Sequence, residues 1–169
     1  MGLFDFLGFG KKAKLLELQK IVLVDSPNRL IMSESQLMKT AIQQAQNDMR
    51  IIKDSLSLVS TTTKPDVFFS RLDTLLNTSR HLMSFEPYIS FKGSPSAAYR
   101  EAATKKDECV RQFILRYSVA VNDKASSMKT EKGKKNQYQK FYDSMTPYYG
   151  ELSTDNKRLF DSVYKQMIE

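Results

Sequence analysis

The sequence predicts an all-α fold, an antiparallel bundle of about four to five helices, two of them long. Three observations carry that expectation. Only six glycines and five prolines occur in 169 residues, and they fall where helices would begin or end. Apolar residues recur three and four apart over long stretches. Side chains that accept hydrogen bonds from free backbone N–H groups stand at the head of several of these stretches.

The first thirty residues support two readings. Leu15, Leu18 and Val22 fit a helix over Lys11–Leu23. Equally, Ile21–Val24 and Arg29–Met32 flank Asp25-Ser26-Pro27-Asn28 as two short β-prone runs around a turn, a small hairpin. Residues 1–32 therefore form an N-terminal amphipathic segment and connector, and 33–169 a helical bundle domain.

Ser33-Glu34-Ser35-Gln36 has the form of a capping box, so a helix should start there. Met38, Ile42, Ala45, Met49, Ile52, Leu56 and Val59 then give a heptad seam, and the helix should span roughly 40 Å at 1.5 Å per residue. Ser60-Thr61-Thr62-Thr63 favours a break. Pro65 suits the first turn of a second helix, with Asp66 complementing its positive end, and Phe68, Phe69, Leu72, Leu75, Leu76, Leu82 and Met83 form its apolar stripe to about Phe85. Glu86 to Pro95 reads as a loop.

Ser94-Pro95 repeats the start signal. Ala98, Ala102, Val110, Phe113, Tyr117, Val121 and Met128, with Cys109 and Ile114 at the margin, predict the longest helix, reaching Lys129. Gly133 marks either a frayed joint or a mild bend before Tyr138, Phe141, Tyr142 and Met145 resume helical spacing. Pro147 and Gly150 close that segment. Ser153-Thr154-Asp155 caps a last helix facing inward with Leu159, Phe160, Val163, Tyr164 and Met167.

Composition removes several function classes. Apolar residues make up 41% and charged residues 27%, ordinary globular usage. One cysteine, Cys109, makes no internal disulfide, and with His81 as the single histidine the usual zinc, iron–sulfur and histidine-triad sites are not expected. The longest apolar run, Ile21–Val24, is four residues, against roughly twenty for a membrane span. The N-terminal stretch lacks the order of a secretory signal, so a cytoplasmic location is the expectation. Gly2 does not make a myristoylation signal, because Phe6 stands where Ser or Thr is required.

Two segments are candidates for contact with other molecules. Leu3, Phe4, Phe6, Leu7 and Phe9 precede Lys11, Lys12 and Lys14, a pattern able to bury apolar groups in a lipid headgroup region with lysines toward anionic lipid. Docking on the protein's own helices, or a floppy tail, is the alternative. From Thr104 to Lys140, ten Lys and Arg stand against four acids, so six of the seven net positive charges are local. Lys129, Lys132, Lys134, Lys135 and Lys140, with Tyr138 and the nearby Tyr142, Tyr148 and Tyr149, combine phosphate-neutralising and base-stacking groups. A solvated lysine-rich surface is the alternative.

Catalytic constellations are weak. His81 has Asp66, Asp73 and Glu86 as its nearest acids in sequence, none placed to tune it. Cys109 reads as a buried thiol. No phosphate loop, dinucleotide fingerprint, nucleophile elbow or zinc-protease motif is present, and neither a cofactor nor a small-molecule substrate is expected.

Ser60-Thr61-Thr62-Thr63-Lys64-Pro65-Asp66-Val67-Phe68-Phe69-Ser70-Arg71-Leu72-Asp73 resembles a segment recurring in uncharacterised helical proteins of Gram-positive bacteria and their mobile elements. Glu131 to Asn136 with Phe141-Tyr142-Asp143 is similar to a second such segment, and together they cover about Ser55 to Tyr149. That family has no assigned activity, so the resemblance carries over no functional residue. The opening Met-Gly-Leu-Phe-Asp-Phe also resembles the starts of small bacterial cytoplasmic or membrane-peripheral proteins. The Phe68-Phe69 pair is explained by burial of a broad helix face, which leaves Arg71 and Asp73 at its edge. The combined expectation is a non-catalytic helical interaction protein, with a protein partner or self-association, peripheral at the inner membrane face through its first residues. The alternative is a nucleic-acid-binding module using Lys129 to Lys140.

Overall fold

The computed structural model describes residues 3–169, with side chains from Gly10 onward. Among these residues the fold is all-α, with no strand. The helices are α1 (Leu3–Val22), α2 (Glu34–Thr61), α3 (Pro65–Ser84), α4 (Pro95–Thr104), α5 (Lys106–Ser126), α6 (Glu131–Met145) and α7 (Thr154–Ile168), with a 3₁₀ turn at Thr146–Glu151. Seven helices thus replace the expected four to five.

The N-terminal region resolves in favour of the helix, which covers Leu3–Val22, and the hairpin does not form. Gln19 explains the path of the chain that follows. Its fully buried amide donates to Ser26 Oγ at 2.8 Å and to the Arg29 carbonyl at 2.9 Å, and accepts from the Ile31 N–H at 2.9 Å. Backbone groups that would have paired across a hairpin are satisfied by one side chain instead.

The start signals behave as their chemistry requires. Gln36 N–H donates to Ser33 Oγ and Ser33 N–H to Gln36 Oε1, both at 3.2 Å, completing the capping box. Ser94 accepts from the Ala97 N–H and Ser153 from the Asn156 N–H. Gly133 is neither a frayed joint nor a bend; it lies in the first turn of α6, where its N–H donates to the cap Thr130 at 3.1 Å.

The expected long helix from Ser94 is broken at Lys105, where ψ is 0°. Thr104 Oγ1 donates to the Arg100 carbonyl at 2.8 Å in the last turn of α4.

The chain forms two compact units, residues 1–52 with 77–99, and residues 53–76 with 100–169. In the first, Leu18 and Val22 pack with Leu37, Ala41, Ala45, Leu82 and Phe85. Here α1 runs parallel to α2, since Lys11 meets Glu34 and the Val22 carbonyl meets Gln44. In the second, α5, α6 and α7 alternate in direction: Tyr117 reaches Phe141 and Ser144, and Tyr142 reaches Phe160 and Tyr164. Both members of the adjacent pair Phe68 and Phe69 are buried there, Phe68 stacking on Phe113 at 4.1 Å and Phe69 on Tyr148 at 4.2 Å. Arg116 reaches out of α5 to the end of α2 and donates to the carbonyls of Val59 and Thr62 at 2.9 and 3.2 Å. These are carbonyls that a helix end leaves without intrahelical donors.

The seam expected on α2 is only half used. Ala45 and Val59 are buried and Ile52 half-buried, but Ile42, Met49 and Leu56 are 41%, 44% and 50% exposed. The buried face of α2 instead runs along Leu37, Ala41, Ala45, Asp48, Ser55 and Val59. The buried line thus lies to one side of the apolar seam.

Candidate functional site

Of the residues expected to meet a membrane, the side chains of Leu3, Phe4, Phe6, Leu7 and Phe9 lie outside the described residues, although their backbone belongs to α1. The stretch that follows is informative. Gly10, Lys11, Lys12, Ala13 and Lys14 are all exposed, and five consecutive residues sweep more than a full turn of 3.6 residues. No side of this part of α1 is therefore buried, and packing begins only at Leu15 and Leu16 and becomes complete at Leu18 and Gln19. Lys11 pairs with Glu34 at 2.8 Å, while Lys12 and Lys14 make no ion pair among the described residues.

The basic stretch is divided in use. Arg116 points inward to cap α2, Lys105 pairs with Glu101, and Lys134 pairs with Glu131 at 2.7 Å. That lysine holds the Glu131 carboxyl below its ordinary range. Lys129, Lys132, Lys135 and Lys140 remain exposed. At 3.6 residues per turn, the three on α6 fall within about 140° of its outward side, opposite Phe141 and Met145. The nearby aromatics serve other ends. Tyr138, Tyr148 and Tyr149 pack against the buried cluster, and Tyr149 also donates to Asp161 at 2.8 Å. Tyr142, 38% exposed, lies against Phe160 and Tyr164.

His81 has a partner that its sequence neighbours did not suggest. Asp48, 33 residues earlier on α2, lies 2.6 Å from its Nδ1, and the ring rests edge-on against Phe85. Burial pushes the Asp48 carboxyl up from its ordinary range, and the bond to His81 partly offsets this. The pair ties α2 to α3, and among the described residues no nucleophilic side chain is hydrogen-bonded to the imidazole. Cys109 is half-buried, and burial raises its thiol above the usual range, which leaves it a poor nucleophile.

Surface hollows of about 260 to 390 Å³ occur within each unit. The one lined by Asp107, Glu108, Arg111 and Asp155 is polar, but its side chains do not converge as a metal site. Among the described residues no group of three or more His, Cys, Asp and Glu is placed to hold a metal ion. No described helix is long and apolar enough to cross a membrane.

The sequence did not point to Gln19, Arg116 or Asp48 as residues with specific work. For Asp48 a signal existed, an acid flanking an apolar seam with no basic residue on the next turn of the same face. In comparisons with family models, curated proteins and solved structures, nothing matches this chain.

Proposed function

We propose that this chain is a non-catalytic helical interaction protein held peripherally on an anionic membrane surface by the first turns of α1. The observation that carries the reading is the complete exposure of Gly10–Lys14. A helix with no buried side at this point leads directly into a segment with five large apolar residues in seven, Leu3 to Phe9. Lys12 and Lys14 form a collar at the depth where phosphate headgroups lie, and the apolar segment supplies burial beyond it. The packed helices that follow the anchor in the chain then serve to present helix surfaces to a protein partner.

A nucleic-acid-binding role has one observation in its favour, the exposed Lys129, Lys132, Lys135 and Lys140. It ranks second because Tyr138, Tyr148 and Tyr149 are partly buried against the core, which reduces the aromatic surface left for stacking bases.

Co-sedimentation of the full chain with phosphatidylglycerol vesicles tests the leading reading. Each lysine near an anionic surface contributes about 1 kcal/mol, so Lys12→Gln with Lys14→Gln should weaken binding by roughly thirtyfold. Phe4→Ser with Phe6→Ser should weaken it further, and binding should be absent on phosphatidylcholine. Unchanged binding by both double variants would remove the anchor.

A further inference from the structure

The α2 helix carries an apolar line that the fold leaves unused. Ile42, Met49 and Leu56 recur every seven residues, each 41–50% exposed, and Met38 and Ile52 border the line half-buried. Seven-residue recurrence keeps side chains on nearly one bearing, with a drift of about 20° per heptad, so they form a stripe along one side of a single helix. Isolated exposed apolar residues need no explanation, but three in register on one helix do.

The outer edge of the stripe is charged with one sign. The positions just beyond it are Lys39, Gln46 and Lys53, all exposed and without an acid among them. In heptad terms Ile42, Met49 and Leu56 occupy one seam position, and the lysines occupy the flanking position that selects partners by charge. A second copy of α2 laid antiparallel along the stripe would set lysine against lysine, which disfavours self-association. A helix with acidic flanking residues complements it.

We infer that the exposed side of α2 docks an amphipathic helix of another protein that has carboxylates flanking an apolar heptad seam. Lys39 and Lys53 are fourteen residues apart, about 21 Å along the helix, so the carboxylates they meet share that spacing on the docked helix. Ile42, Met49 and Leu56 supply the apolar contact, and the lysines set register and reject basic helices. This deepens the reading of the chain as an interaction protein by naming the surface and the chemistry of what it binds.

The test uses the full chain with ¹³C-methyl methionine, so that Met38 and Met49 report on the stripe directly. It is titrated, without lipid, with a designed three-heptad helical peptide bearing Leu at its seam and Glu at its flanks, and with a twin bearing Lys at the flanks. The Met49 methyl resonance should move saturably with the Glu peptide, at least about tenfold more tightly than with the Lys twin. Lys39→Glu with Lys53→Glu should reverse that order, and in Met49→Asp the Met38 methyl should no longer respond to the Glu peptide. Equal response to both peptides, or a still Met49 resonance, overturns the inference. A monomer–dimer equilibrium that Met49→Asp removes also overturns it, by making a second copy the occupant. Because lipid is absent, failure here leaves vesicle binding intact, and failure on vesicles leaves this result intact.

Discussion

Phe113→Ala should lower the free energy of unfolding by about 3–5 kcal/mol, measured by urea denaturation of the full chain. Phe113 is fully buried and sits at the meeting point of three other rings. Phe68 stacks on it at 4.1 Å, Phe69 meets it edge-on at 6.0 Å and Tyr117 lies 5.7 Å away. Truncation removes the ring from water-excluded contact and leaves a cavity that stacked aromatics on different helices cannot close by small shifts. Total stabilities of about 5–15 kcal/mol make this a large fraction. Val119→Ala on the same helix is the control, because Val119 is 58% exposed and should change stability by less than about 0.5 kcal/mol. A Phe113→Ala loss below about 1 kcal/mol would contradict the packing described.

Gln19→Leu should cost about 2–4 kcal/mol although it adds apolar surface to an apolar cluster. The side chain is fully buried, and its amide holds Ser26, the Arg29 carbonyl and the Ile31 N–H. Leucine nearly matches its volume but leaves those groups without a partner. The loss should be accompanied by faster hydrogen exchange at the Ile31 amide, because the connector between α1 and α2 then has no anchor at that point. A stability unchanged or raised by leucine would mean that the connector is held by something else.

The contrast between these two residues explains how much of the fold was legible beforehand. Phe113 was readable because it belongs to a helical period, and periods are local. The caps at Ser33, Ser94 and Ser153 were readable for the same reason, as each acts on an N–H three residues away. Gln19 was not, because a glutamine on a helix is ordinarily solvated and its importance comes from a chain reversal ten residues later. The break at Lys105 carries no proline or glycine signal, because the residue there leaves the helical backbone range only in ψ. Arg116 counted as part of a basic stretch in the sequence, whereas its guanidinium is engaged with carbonyls 54 and 57 residues away.

The candidate surfaces followed the same rule. The α1 lysines and the exposed α6 lysines were visible as composition. Which aromatics were already occupied by the core was not, since that depends on α6 folding back on α5 and α7. The α2 seam is apolar and heptad-spaced in the sequence, but only part of it packs in the fold. Its division into a buried line through Ala41, Ala45 and Ser55 and an exposed one depends on contacts with other helices, which a local period does not report.

The depth of Phe6 at a lipid surface measures attachment through α1 most directly. The chain has no tryptophan, so Phe6→Trp supplies a single tryptophan reporter in this chain. On phosphatidylglycerol vesicles its emission should shift to the blue and be quenched by lipids brominated along the acyl chain, and both effects should fade when Lys12 and Lys14 are replaced by glutamine. Emission that stays that of a water-exposed tryptophan, or a blue-shifted emission already present without vesicles and indifferent to brominated lipid, would contradict membrane attachment through α1.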